Sequence, residues 1–191
     1  MIKAGLDFGN SKISCVVVDY KNKNNINLLS LKSIPTTNIK KNIIYNYDNL
    51  LDQIKSLIIE SEKNSQTKIN SINLNLPLID HKINYYTSEI ILKNEKISKL
   101  HLNKLVNNSE YFNKETDHTD IFNNIISNEM DKKIVSDIPL EVFAEYLKIN
   151  FFKINIKNKI INNFFNLFNK ININIENYIP SPISSSLSVL S

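Results

Sequence analysis

Residues 5–14 read GLDFGNSKIS. An acidic residue closes one apolar segment, a glycine opens a turn, small polar residues fill it, and a β-branched apolar segment leaves. A hairpin of this composition can wrap a terminal phosphate. The backbone N–H groups around Gly9, Asn10, Ser11 and Lys12 form an anion-binding nest. Gly9 has no Cβ, so the backbone can approach closely. The Ser11 hydroxyl adds a donor and the Lys12 ammonium a point charge. Asp7 repels bare phosphate, but it can hold a hydrated magnesium ion beside one, through water. The same ten residues also fit an ordinary hairpin with a two-residue Gly-Asn turn.

On either side of this stretch the pattern is strand, turn, strand, turn, strand. Residues 3–8 and 13–20 are apolar and β-rich, 21–25 (KNKNN) make a polar hairpin loop, and 26–34 give a third strand closed by Pro35. Residues 48–63 carry Leu50, Leu51, Ile54, Leu57 and Ile58, one stripe of a 3.6-residue period. Asp48 is the expected N-cap of that helix. Ile72, Leu74 and Leu76 alternate with Asn73 and Asn75, a half-buried strand ended by Pro77.

The middle has a different texture. Residues 82–92 suit a strand, 97–107 a short helix, 110–119 a polar loop, and 121–126 and 132–135 short strands. Residues 146–154 suit a longer strand with Leu147, Ile149 and Phe151 on one face. A Phe-rich helix is expected over 156–170, then a strand through Ile171, Ile173 and Ile175, then a last helix capped by Ser181 with Pro182 in its first turn. The apolar pattern is still running at Ser191, which leads us to expect a truncated or split product.

Composition excludes several functions. The chain has 191 residues and two glycines, Gly5 and Gly9. A dinucleotide fingerprint needs three glycines in one turn and a P-loop needs two glycines five apart, so neither can be written here. Asn and Ile number 32 each, and all 23 basic residues are lysine. That bias reads as the codon drift of an AT-rich genome. Net charge is only +4, and the absence of arginine argues against a nucleic-acid reader. Cys15 is the single cysteine, which excludes an internal disulfide and a thiolate zinc cluster. The opening MIKAGLD is too polar for a signal peptide, and no apolar run approaches the roughly 18 residues of a membrane span. The expected location is the cytoplasm. Glu115, Asp117, His118 and Asp120 (ETDHTD) read as a solvated acidic loop rather than a metal site, and His81 and His101 stand alone.

Four segments, in order, carry a resemblance. Residues 5–12 are GLDFGNSK, 34–44 are IPTTNIKKNII, 137–154 are DIPLEVFAEYLKINFFKI and 182–191 are PISSSLSVLS. Together they resemble the FtsA family of bacterial cell-division proteins, within the actin-like ATPases. The family has segments like GLDIGSSK, VPSRGIKKGVI, DPIGMSGxRLEVxVHIIT and PLASALAVLT. Two family glycines correspond to Asn38 and Asn42, as expected for turns with φ > 0.

The resemblance implies an α/β fold: an actin-like, ribonuclease-H-like mixed sheet with helices from residues 1–79 and 155–191. It also implies a small inserted strand–helix–strand–strand (SHS-type) subdomain over 80–154. It implies ATP with magnesium at Asp7, Gly9, Asn10, Ser11 and Lys12, and no direct metal ligand. Partners would be divisome proteins and FtsA-like subunits, met through the insert at the inner face of the cell membrane at the division site. The family's second phosphate loop, like DIGGGTTD, is missing from this sequence, as are the adenosine-binding segment and the membrane helix. The expectation is therefore half an ATP site, weak or absent nucleotide binding, no catalysis, and a role in divisome assembly by protein contact. The alternative is an actin-like ATPase of another system, such as type IV pilus assembly, whose members share the inserted module.

Overall fold

The computed structural model describes residues 1–22, 25–40, 43–77, 80–108 and 116–190. By its contacts the chain divides into two units, Met1–Asp80 with Asn158–Ser191, and His81–Lys157.

In the first unit, alternation buries one face of each strand. β1 (Ile2–Phe8), β2 (Lys12–Asn22) and β3 (Asn25–Pro35) form an antiparallel meander. A two-residue ribbon, β4 (Ile39–Lys40) with β5 (Ile43–Ile44), leads to helix α1 (Tyr47–Ser65). β6 (Ser71–Leu76) then lies parallel to β1, and later β11 (Asn174–Pro180) lies parallel to β6, giving the order β11–β6–β1–β2–β3. Register puts Leu6 beside both Cys15 and Leu74, so all three share one buried face. α1 adds Leu50, Ile54, Leu57 and Ile58 to this core. Each fully buried Leu or Ile contributes at most about 1.5–3 kcal/mol relative to exposure. Burial raises the Cys15 thiol pKa, and a hydrogen bond with Ser61 on α1 partly offsets it.

The cap of α1 differs from expectation. Asn46 is the N-cap, its Oδ1 accepting from the Asn49 N–H at 3.0 Å. Asp48 stands instead in the first turn, where its charge favours the positive end of the helix dipole.

The second unit is an antiparallel sheet with one helix. β7 (His81–Lys96) leads to α2 (Lys99–Asn108), followed by β8 (His118–Met130), β9 (Lys133–Val135) and β10 (Phe143–Lys157). The order β7–β10–β8–β9 makes β10 a central strand, paired along its length with β7 and β8. Leu92, Ile97, Leu105, Leu147, Ile149 and Phe151 form its core. The strands are longer than the sequence pattern predicts. His118 and Thr119, expected in a polar loop, begin β8, and most of the rest of that loop falls outside the described residues.

The closing elements shift too. Ile156 is the buried penultimate residue of β10, so α3 spans Asn158–Asn169 rather than starting at 156. It buries Phe164, Leu167 and Phe168 but leaves Phe165 exposed, and the Phe164 and Phe168 rings meet Phe8 edge-on at 5.2 and 6.1 Å. Ile171 and Ile173 precede β11, because both N–H groups donate to the Phe168 carbonyl at 3.1 Å and hold the chain in a turn. Ser181 opens the last helix, α4 (Ser181–Leu190).

With glycine scarce, other residues take the left-handed positions. Gln66, Asp80, Lys93, Asn94, Asp131, Lys132, Glu141 and Asn172 all have φ between 45° and 65°, and neither glycine does. Asn38 is not among them, which corrects the expectation of a φ > 0 turn there, and Asn42 lies outside the described residues. Asn38 is buried because it is bonded: its amide donates to Gln53 Oε1 on α1 at 2.8 Å.

Candidate functional site

The hairpin at residues 9–12 joins β1 to β2. The last ladder pair is Phe8 with Ile13, so the connection is four residues long and not the two-residue Gly-Asn turn. The Gly9 N–H donates to the Lys12 carbonyl at 3.0 Å, closing the loop. A Cβ built on Gly9 would come within 2.9 Å of that same carbonyl oxygen, which explains the glycine without a left-handed φ. This bond corrects the expected nest by one donor, since the Gly9 N–H is engaged within the turn. Asn10, Ser11 and Lys12 are exposed at the tip.

The turn is braced from α1. The Thr36 N–H donates to the Ser11 carbonyl at 2.9 Å, and the buried Thr36 hydroxyl donates to Gln53 Oε1 at 2.8 Å. Gln53 Nε2 in turn donates to the Pro35 carbonyl at 3.3 Å. Segment 34–38 is thus clamped between the hairpin and the helix.

Asp7, half-buried on β1, lies opposite Ser14 on β2 and Asn75 on β6. Asn75 Nδ2 donates to Asp7 Oδ1 at 2.5 Å, and Ser184 Oγ on α4 donates to Asn75 Oδ1 at 3.0 Å. Sequence reading missed Asn75 and Ser184 as members of the site. The signal for Asn75 was its strand phase: alternation with Leu74 and Leu76 puts it on the face opposite the core. Ser184 had none, lying 109 residues further along the chain.

The donor set suits a phosphate with a hydrated divalent cation: one carboxylate, an exposed hydroxyl, an exposed ammonium and a tight turn whose glycine admits no Cβ.

The acidic stretch at 117–120 arranges itself differently. Asp117 Oδ1 pairs with His118 Nδ1 at 2.7 Å, and that hydrogen bond holds the Asp117 carboxyl below its usual range. Asp120 bonds Lys153 Nζ at 3.0 Å and also accepts from Asn155 Nδ2. Among the described residues no group of three His, Cys, Asp or Glu side chains gathers to hold a metal, and Glu115 lies outside them. No helix among them is long and apolar enough to cross a membrane.

No protein-family model and no curated protein matches the sequence. Solved structures do. A chain of the PilM–PilN type IV pilus biogenesis complex superposes with a TM-score of 0.56 at 12% identity, over 94% of this chain and 47% of that one. The cytoplasmic domain of EpsL, an inner-membrane component of the type II secretion system of Vibrio cholerae, matches 94% of this chain and 56% of that one at 7% identity, TM-score 0.38. The ROK hexokinase from Thermus thermophilus matches 40% of this chain and 22% of that one at 25% identity, TM-score 0.30. This chain therefore spans about half the length of the pilus protein it matches. The order β11–β6–β1–β2–β3 and that superposition bear out the expected fold class, and the chain has the actin-like mixed-sheet fold.

Proposed function

We propose that this chain works as an actin-like assembly protein of the pilus-biogenesis kind, by protein contact rather than nucleotide turnover. One observation carries the reading. The likeness to the PilM–PilN complex extends over 94% of the chain and so takes in both units, the inserted one included. The cell-division reading rests on short sequence segments, chiefly residues 34–44, and becomes the second reading. The partner is a PilN-like protein, with recruitment to the inner face of the membrane through it.

Asp7, Gly9, Asn10, Ser11 and Lys12 act as half of a magnesium–ATP site. With the Gly9 N–H already engaged within the turn, affinity is millimolar or weaker. Hydrolysis is not part of this reading, because phosphoryl transfer needs a residue that orients the attacking water and the proposed half-site gives that role to none of its five residues.

Sedimentation velocity tests the partner. The purified chain is mixed with the PilN-like protein of the same genome and, separately, with FtsZ and FtsA. Co-sedimentation with the PilN-like protein alone is expected. Binding only to the division proteins reverses the order of the two readings, and binding to none removes both.

A further inference from the structure

Behind the phosphate hairpin a chain of side chains runs across three elements. Asn75 has one amide, and its two ends meet different partners: Nδ2 meets Asp7 Oδ1 at 2.5 Å and Oδ1 meets Ser184 Oγ at 3.0 Å. Only one of its two planar orientations satisfies both. Turned over, it would set an amide oxygen against a carboxylate oxygen, two acceptors without a proton between them. The Asp7 carboxylate therefore selects the Asn75 orientation, and the Ser184 hydroxyl supports it by donating to the Oδ1 that this orientation presents, while sharing its single hydrogen with the Ser181 carbonyl, also at 3.0 Å. Parallel pairing fixes the rest, because Asp7 and Asn75 are register partners on β1 and β6.

We propose that Asn75 and Ser184 are positioning residues for the phosphate half-site. They hold Oδ1 of Asp7 so that Oδ2 is presented to the water shell of a nucleotide-bound divalent cation. This rests on the reading of the hairpin as half a magnesium–ATP site. Asn75 is a neutral donor, so it restrains the carboxylate without cancelling its charge, as an ammonium would. Ser184 acts only through Asn75.

The test is an NMR titration of the ¹⁵N-labelled full chain with magnesium–ATP, and with ATP in EDTA, reading the Gly9 and Ser11 amide shifts. Asn75→Ala should weaken magnesium–ATP binding about tenfold, as loss of a ligand-orienting partner does. ATP binding in EDTA should not change. Ser184→Ala should weaken magnesium–ATP by a smaller factor, and the double variant should match Asn75→Ala alone, since the second residue works through the first. The Asn75 side-chain amide signal should move in both Asp7→Asn and Ser184→Ala, a readout independent of nucleotide. Equal weakening with and without magnesium, additive effects, or an Asn75 amide indifferent to Ser184 would overturn the positioning role. A wild-type chain that binds no magnesium–ATP at tens of millimolar overturns the half-site reading itself, and the proposal with it.

Discussion

The Gly9 N–H donates to the Lys12 carbonyl at 3.0 Å, and that oxygen lies where a Cβ on residue 9 would intrude. Gly9→Ala should therefore destabilise the chain by about 1–3 kcal/mol, the usual penalty for forcing an atom into a packed site. Urea melts read this directly. A midpoint equal to wild type would mean that the turn relaxes freely and that the glycine answers to something else.

Gln66 ends α1 in the left-handed region, φ 52°, with its N–H on the Glu62 carbonyl. Glycine adopts this conformation without the Cβ penalty. Gln66→Gly should raise stability by about 0.5–1 kcal/mol, whereas Gln66→Ala should not. Thermal melts of the two variants side by side settle the sign.

Lys153 has a nearly buried side chain, 8% exposed, paired with Asp120 at 3.0 Å and set over the Tyr86 ring at 5.8 Å. Removing only the carboxylate strands an ammonium. Asp120→Ala should cost about 2–3 kcal/mol, reduced from the fully buried case because Asp120 is half-exposed. The double variant Asp120→Ala/Lys153→Met should recover most of that loss. Persistent destabilisation in the double variant would show that the pair matters for more than charge.

Tyr146 titrates near 12, raised first by desolvation and then by its hydrogen bond to Glu89, Oη to Oε2 at 2.8 Å. The folded state thus favours the protonated phenol. Its contribution to stability is complete below the ordinary value of 10 and fades as pH rises from 10 through 12. Glu89→Gln should bring the phenol's ultraviolet titration midpoint down toward 10. No movement would assign the shift to desolvation alone.

Much of the fold was legible because its signals are local. The Ile72–Leu74–Leu76 alternation and the α1 stripe each report one buried face, and burial follows them. The errors fall where a distant partner decides. Asn46 outcompetes Asp48 as cap through an extended backbone that two polar residues on either side of Tyr47 do not reveal. Ile156 stays in β10 because β7 and β8 continue beside it, with His81 and Thr119 as its register partners. Asn38 looked like a turn residue but serves as a buried donor, since Gln53 arrives from α1. The hairpin was visible as a motif; Asn75 and Ser184 became visible only when parallel pairing and α4 brought them to Asp7.

The placement of β10 has a consequence for synthesis on the ribosome. It is the last strand of its unit in sequence, yet it separates β7 from β8 and supplies the ladder to both. About 60 residues lie between the end of β7 and the end of β10, several seconds of translation at roughly 5–20 residues per second. During that interval β7, joined after residue 130 by a complete β8, lacks the strand that both pair with, so apolar residues such as Ile90 and Ile125 wait for Leu147 and Phe151. The unit cannot assemble from its beginning. It waits for its final strand, and a chaperone or a slowly translated stretch between residues 97 and 157 would act on this one vulnerable window.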